Sequence, residues 1–274
     1  MANQGPITWE RYKSWVSQLA KDHAYYYCRG HANEHWKLQT SFHRLASPAG
    51  ITLEDYRTTI IPELHYHICA QANEIINLQC PEEFGAFLAL LQHHGFPTPL
   101  LDWTLSPYIA AYFAFREVND TSPESDNVRI FVFDYVNWSR HFSQPLDLSE
   151  MKIKYVSVFR PYAKYNPRLI PQQGVFTVTN VDDMEEYILR RSTDVNKKFL
   201  FKALLSVKEK PHIMRELNLM GINEMSLFPS VDGICRAMRA RFFSQKTVGL
   251  TPSEWIDFIR TQSTPKTENK KIEG

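Results

Sequence analysis

The chain has 274 residues, of which 43% are hydrophobic and 22% charged, and its formal net charge is +1. This composition is that of an ordinary globular protein with enough apolar residues for a sizeable core. The near-neutral total removes any general electrostatic argument for nucleic acid or an anionic membrane, although it is compatible with a local basic groove. Nucleic acid is therefore neither supported nor excluded as a partner.

The N-terminal third predicts helices and a pair of strands. Apolar residues at helical spacing predict an amphipathic helix over Thr8–Lys21. Tyr25–Cys28 predicts a strand, and Trp36–Phe42 predicts a second extended segment after a polar turn. The longest helical region is Thr52–Gln79, which we expect to be kinked or broken at Pro62 because proline removes a helix hydrogen bond.

The central stretch predicts a helix, a short strand and a second helix. The first helix covers Pro81–His94 and is closed by Gly95, and the strand covers Pro99–Trp103. Thr104 or Ser106 is the expected cap of the second helix, in which alanines leave a narrow face for close packing.

The C-terminal half alternates strands and helices. The predicted strands cover Val128–Asp134, Gly174–Thr179 and Phe199–Val207, and the predicted helices cover Lys210–Leu219 and Ile234–Phe243. Ser143–Leu169 is expected to be rich in loops, and the tail from Ser263 to be frayed. Without an internal repeat or a long linker, the pattern predicts one α+β domain with a central mixed or antiparallel sheet flanked by helices.

The four cysteines lie at positions 28, 69, 80 and 235, with no CxxC pair and no dense framework. This spacing is typical of reduced thiols in a cytosolic protein. The N-terminal residues lack an apolar core of signal-peptide length, and no stretch approaches the ~20 apolar residues of a membrane span. We therefore expect a soluble, cytoplasmic protein without a membrane partner.

Common catalytic signatures are absent from the sequence. It contains no Walker loop, no GxGxxG, no GxSxG elbow and no HExxH helix. His65 and His67 are two apart on a predicted helix, and His93 and His94 are adjacent, so each pair diverges. No metal is expected.

Asp102 and Trp103 stand where a predicted strand ends and a helix begins. Side chains and free N–H groups often converge on a ligand at such points, which makes this pair a candidate site. The alternative is structural, with Trp103 in the core and Asp102 capping the next turn.

Arg29 and Gly30 directly follow the predicted strand Tyr25–Cys28. A guanidinium can hold a phosphate or carboxylate through its planar fork, and an adjacent glycine allows a ligand or a backbone to approach closely. The alternative is a structural arginine paired with a carboxylate such as Asp102.

Six segments occur in a recognisable order along the chain. They are Tyr27–His31, Trp36–Arg44, Leu91–Thr104, Ala111–Ala114, Pro167–Phe176 and Leu227–Gly233. In this order they resemble the motifs of the FRG domain, a family named for its Phe-Arg-Gly signature, over about Tyr25–Arg241. Two departures are Cys28 in place of the signature phenylalanine and Pro99 in place of an arginine, which removes one cation from the implied site.

The resemblance implies a division of the chain and a biological setting. Residues 1–24 would form a helical lead-in, 25–245 the FRG domain, and 246–274 a C-terminal helix with a flexible tail. The family occurs mostly in bacteria and phages and has no assigned activity, so the resemblance names a domain and leaves the reaction open.

A more distant similarity is to ADP-ribosyltransferases, in which a strand-borne arginine anchors NAD. The resemblance implies Arg29, Asp102 and Gln172 as catalytic residues around one pocket, with Arg29 on the pyrophosphate and Gln172 on a ribose hydroxyl. Asp102 would help to stabilise the cationic sugar. The implied NAD contacts further include Gly30, His31, Trp103, Thr104 and Gln173, with Trp103 stacked on the nicotinamide.

Three hypotheses remain open at this point. The first is an NAD-using ADP-ribosyltransferase or NAD glycohydrolase that acts as a bacterial toxin or phage-defence effector, with an unidentified acceptor macromolecule. The second is a non-catalytic domain that binds a nucleotide or nucleic acid. The third is a protein-interaction module.

Overall fold

The computed structural model describes residues 5–21, 25–72, 74–119, 121–146, 148, 153–162, 166–243 and 252–263. The chain forms two compact units, one ending at Ile222 and the other starting at Asn223. The first unit is built on a six-stranded antiparallel sheet with helices around it, which confirms the predicted α+β class. The predicted tail beyond Ser263 lies outside the described residues. The predicted domain boundaries at 24/25 and 245/246 stay a prediction.

All neighbouring strands of the sheet are antiparallel, in the order β4-β5-β2-β1-β3-β6. The strands are β1 Tyr27–His31, β2 Leu100–Thr104, β3 Asn127–Phe133, β4 Val156–Phe159, β5 Gly174–Thr179 and β6 Leu200–Ser206.

The helices of the first unit surround this sheet. They are α1 Trp9–Lys21, α2 Ser41–Ala49, α3 Leu53–Asp55, α4 Ile61–Ala72, α5 Pro81–His93, α6 Pro107–Arg116, α7 Tyr135–His141, α8 Met184–Asp194 and α9 Lys210–Leu219. The second unit contains α10 Glu224–Leu227, α11 Val231–Phe243 and α12 Pro252–Ser263. None of the described helices has both the length and the apolar character needed to cross a membrane.

The alternation of β2 divides its side chains between two hydrophobic cores. Leu100 packs with Phe176 of β5 and with apolar residues of α2, α4 and α5. Trp103 belongs to a second core, which includes Phe131 of β3 and Trp138 of α7. The sheet is therefore covered on both faces, and an open site has to lie at an interruption of the sheet or at its rim.

The sheet is interrupted between β1 and β2. β1 pairs with β3 at five positions, and β2 pairs with β5 at five, but β1 and β2 pair only at Cys28 and Thr104. Beyond that pair the two strands diverge. The sheet thus consists of two three-stranded halves that are joined by one short contact.

Helix α6 packs closely on β1, as its alanines predict. Ala110 and Ala114 are fully buried, and a Cβ added at Gly30 would lie 2.0 Å from the Ala110 carbonyl oxygen and 2.8 Å from the Ala114 Cβ. Ser106 caps this helix by accepting from the Ile109 N–H, and Pro107 occupies its first turn. Because glycine has no Cβ, only glycine at position 30 of β1 allows α6 to come this close.

Two predicted strands differ from the structure. β1 continues to His31, because it pairs with β3 over its whole length, so Arg29 lies inside the strand and not beyond its end. Trp36–Phe42 is not a strand. Thr40 instead caps α2 by accepting from the His43 N–H, and this capping outweighs the β preference of the segment.

One further strand was not predicted. The region predicted as loop-rich contains β4, a strand of only four residues that forms by pairing with β5.

The long helical region is broken near Pro62, as predicted. A π-helical turn, Tyr56–Ile60, directly precedes α4 there. Such a turn accommodates the hydrogen bond that proline removes. The helix then ends at Ala72, earlier than predicted.

We expect Gly30→Ala to lower the free energy of unfolding by about 2 kcal/mol, because overpacking typically costs about 1–3 kcal/mol. Chemical denaturation measures the change. Gly5→Ala is the control, since a Cβ added there has nothing within 4 Å, and should change stability by less than about 0.5 kcal/mol. Equal stabilities of the two variants would contradict the tight contact between β1 and α6.

Candidate functional site

A pocket of about 150 Å³ lies beside the place where β1 and β2 diverge. It is bordered by β1, by the N-terminal part of α2, by the end of α5 with the following loop, and by β2. Its lining residues are Arg29, Ser41, Arg44, Gln92, Gly95, Phe96, Leu100, Leu101 and Asp102. Three of them are charged, which sets the chemistry of the pocket.

The guanidinium of Arg29 bridges the two diverging strands. Its Nε donates to His31 Nε2 at 3.0 Å, and its Nη1 donates to the backbone carbonyl of Asp102 at 2.7 Å. A guanidinium has five N–H donors, and no described residue accepts from the other three. Burial lowers the pKa of Arg29, and the nearby Asp102 charge opposes that shift. Arg29 is thus a cation held in a fixed orientation with spare donors.

His31 stands behind Arg29 and fixes its orientation. The ring is 5% exposed, and burial, together with the charges of Arg29 and Arg129, lowers its pKa to about 2. The imidazole is therefore neutral at pH 7. Because Nε2 accepts from Arg29, Nδ1 carries the proton and faces the Trp36 carbonyl at 3.3 Å. Arg129 Nη2 donates to the same carbonyl at 2.6 Å.

Asp102 retains accessible surface although protein surrounds it on most sides, as expected of a group that lines a pocket. Burial raises the pKa of its carboxyl, and the Arg29 charge and a hydrogen bond from Gln92 oppose the increase. Gln92 is itself oriented, because its Oε1 accepts from the hydroxyl of the fully buried Thr98. The amide N–H groups are thereby turned toward Asp102.

Arg44 supplies a second guanidinium to the pocket. Its side chain is exposed, and its Nη1 donates to the Gln39 carbonyl at 2.7 Å. Its charge acts on both Arg29 and Asp102. Two guanidinium groups and one carboxylate give the pocket a net positive charge, which favours an anionic ligand.

The structure places several expected ligand contacts elsewhere. Trp103 is 3% exposed, and its indole N–H donates to Thr177 Oγ1 at 2.9 Å inside the core, so its ring does not face the pocket. The stacking of this indole on a nicotinamide has no counterpart in the structure. Gly30 faces α6, and His31 acts through Arg29 without lining the pocket.

Gln172 and Gln173 belong to the turn before β5, at the opposite end of β2 from Leu100. Thr104 Oγ1 donates to the Gln172 carbonyl at 2.8 Å, and the Leu105 N–H donates to the Gln173 carbonyl at 3.1 Å. Neither glutamine is among the residues that line the pocket. Of the three residues expected to share a pocket, the structure brings Arg29 and Asp102 together and does not bring Gln172 to them.

The family model of the FRG domain matches residues 23–122 of the chain. This segment is therefore similar to the FRG domain, and residues 23–122 are called the FRG domain below. It contains β1, β2 and every residue that lines the pocket. The later segments Pro167–Phe176 and Leu227–Gly233, on which the resemblance also drew, lie outside the matched residues. No curated protein and no solved structure matches the chain. The resemblance to ADP-ribosyltransferases is not confirmed.

The sequence did not single out Arg44 and Gln92 as site residues of the FRG domain, although both lie inside segments that carry the resemblance. Arg44 ends the segment that begins at Trp36, and Gln92 follows Leu91 at the end of α5. A cation at an exposed helix position has no local signal, because only the long-range approach of α2 and β2 makes it part of a pocket.

One group of candidate metal ligands lies outside the pocket of the FRG domain. Glu10, His212 and Glu216 place ligand atoms within 4.8 Å of one another. The Lys13 ammonium lies 2.9 Å from Glu10 and 2.5 Å from Glu216, so a cation already neutralises the two carboxylates. The group is an ion-pair cluster that ties α1 to α9.

The neutral His31 predicts a pH dependence of stability. Its pKa is about 2 in the fold and ~6.5 when unfolded, so between these values the unfolded chain binds more protons and acid favours unfolding. From pH 7 to pH 5 this group alone should lower the free energy of unfolding by about 2 kcal/mol. His43, whose pKa burial lowers to about 4, adds to the same trend.

We therefore expect His31→Gln to lose about 2 kcal/mol less stability than the wild type between pH 7 and pH 5. Denaturant titrations at several pH values measure this difference. His67→Gln, at an exposed position of α4, is the control and should follow the wild type. If His31→Gln and the wild type lose the same stability, His31 is not buried as a neutral acceptor.

Proposed function

We propose that the FRG domain binds a nucleotide, with NAD as its ligand, and cleaves the bond between nicotinamide and ribose. The observation that supports this proposal is the Arg29 guanidinium, which is fixed by His31 and by the Asp102 carbonyl and keeps three N–H donors for the pocket. Arg29 and Arg44 would hold the pyrophosphate, since guanidinium groups form paired hydrogen bonds with phosphate oxygens.

Asp102 would stabilise the reacting sugar. Loss of nicotinamide breaks the bond between its nitrogen and the anomeric carbon, the bonding electrons leave with nicotinamide, and positive charge develops on the ribose. A carboxylate beside this charge lowers the barrier. Water, or a hydroxyl or other nucleophile of an acceptor, then bonds to the anomeric carbon and releases a proton. Such a reaction would suit a toxin or phage-defence effector.

The size of the pocket limits how much of NAD it can enclose. Ligand pockets typically have volumes of roughly 300–1,000 Å³, and this pocket has about 150 Å³. It would therefore enclose one phosphate and the near edge of an adjoining ribose, while the remainder of the dinucleotide lies outside it.

The second candidate is a nucleotide-binding domain without catalysis. Two observations favour it: Trp103 lies in the core, and Gln172 does not line the pocket. Among the described residues that line the pocket, Asp102 would then be the one acidic group available to assist ribosyl transfer. Both candidates require the same phosphate contacts, and they differ in whether nicotinamide is released.

We expect Arg29→Lys to weaken NAD binding at least tenfold, because an ammonium loses the bidentate contact and hydrogen bonds to charged groups contribute about 1.5–3 kcal/mol. Isothermal titration calorimetry measures the affinity. The matched control is Arg57→Lys, at a surface arginine that pairs with Glu54 on the same helical turn. Unchanged affinity in a folded Arg29→Lys protein would overturn the phosphate contact.

We expect Asp102→Asn to lower the rate of nicotinamide release about a hundredfold, while the nearly isosteric amide preserves folding. Mass spectrometry follows nicotinamide, and thermal unfolding checks the fold. Asp126→Asn, in an exposed loop, is the control and should keep the wild-type rate. NAD binding without release by the wild type would select the second candidate, and the lack of both binding and release would reject both.

A further inference from the structure

We propose that the pocket recognises the ribose phosphate part of its ligand and makes no specific contact with the base. The ligand class is then nucleoside phosphates with free ribose hydroxyls, whatever the base. This inference rests on the nucleotide binding proposed above and goes beyond it, because it states which part of the nucleotide confers affinity.

The first argument is the volume of the pocket. A cavity of about 150 Å³ holds a group of the size of benzene, and the pocket of the FRG domain has this volume. A phosphate together with the near edge of a ribose fills such a space. A purine or pyrimidine would then lie outside, toward solvent.

The second argument is the arrangement of charge. Arg29 and Arg44 attract an anion, but Asp102 lies between the same walls and would repel a bare phosphate. A ribose phosphate satisfies both conditions, because its phosphate accepts from the guanidinium groups and its hydroxyls donate to the carboxylate. A carboxylate that accepts from a hydroxyl forms a hydrogen bond stronger than a neutral pair.

The third argument is that the remaining polar side chains of the pocket are already engaged. Ser41 Oγ accepts from the Thr98 N–H at 3.1 Å, and the Gln92 amide bonds to both Thr98 and Asp102. The other lining residues, Gly95, Phe96, Leu100 and Leu101, have no polar side-chain atoms. Recognising a base requires hydrogen-bonding groups directed at its edge. With Arg29 and Arg44 on the phosphate and Asp102 on the hydroxyls, the lining side chains leave none for the base.

The experiment compares ligands that differ in one part at a time. Calorimetry on the full chain would measure the affinities of AMP, GMP, CMP, UMP, ribose 5-phosphate and 2′,3′-dideoxy-AMP. We expect the four ribonucleotides to agree within about threefold and ribose 5-phosphate to lie within about tenfold of them. Loss of both hydroxyls should weaken binding about tenfold, as expected when a hydrogen bond to a charged group is lost.

A variant then assigns the hydroxyl contact. In Asp102→Ala the ratio between AMP and its dideoxy analogue should fall to about one, whereas the Asp126→Ala control should keep the wild-type ratio. If Asp102→Ala does not fold, the comparison of AMP with dideoxy-AMP on the wild type still tests the inference.

Two results would overturn the inference while leaving the proposed function intact. One is discrimination among the four bases by more than tenfold, and the other is equal binding of AMP and dideoxy-AMP. In either case NAD binding that depends on Arg29 would still support the proposed function. The proposed NAD binding fails if the folded wild type binds no NAD, and the proposed cleavage fails if the wild type binds NAD without releasing nicotinamide.

Discussion

The hydrogen bonds of the Arg29 guanidinium join the two halves of the sheet where the backbone ladder stops. β1 and β2 share one paired position, and the Arg29 contact with the Asp102 carbonyl spans the gap beyond it. A half-buried cation must find hydrogen-bond acceptors in the protein to offset its lost hydration. His31 and the carbonyl supply them, so the same two contacts hold the strands together and fix the cation.

The gap between β1 and β2 depends on how firmly each half of the sheet is held. β1 is paired with β3 along its whole length and is pressed against α6 through Gly30, while β2 is paired with β5 along its whole length. Closing the gap would require each packed half of the sheet to shift as a unit, and the side chains of α2 and α5 complete the gap as a pocket.

Local features of the fold could be predicted from the sequence, and nonlocal ones could not. Pro81, Gly95, Ser106 and Pro107 set helix limits through short-range sterics and capping, and the structure has helix ends at these points. The segment from Trp36 was misjudged because a single cap at Thr40 decided its conformation.

The candidate site was predictable only in part, for a related reason. Arg29 and Asp102 carried a local signal, since both stand at predicted strand ends, where ligand-binding groups often converge. The partners that orient them, His31 for Arg29 and Gln92 for Asp102, depend on register and on contacts between distant segments. No periodicity in the sequence records such contacts, and they are what brings two charged side chains to one pocket.

The bonding of Arg29 differs from that of an arginine in a structural ion pair. An arginine that serves the fold alone would be expected to pair with the nearby carboxylate, since an unpaired charge in a protein is costly. Here the two anchoring acceptors, His31 and a backbone carbonyl, are neutral, and the Asp102 carboxylate accepts from Gln92. Because a protonated imidazole could not accept from Nε, the depressed pKa of His31 is a condition of this arrangement. The Arg29 guanidinium is thereby oriented by neutral acceptors, and three of its N–H groups remain for an anion that enters the pocket.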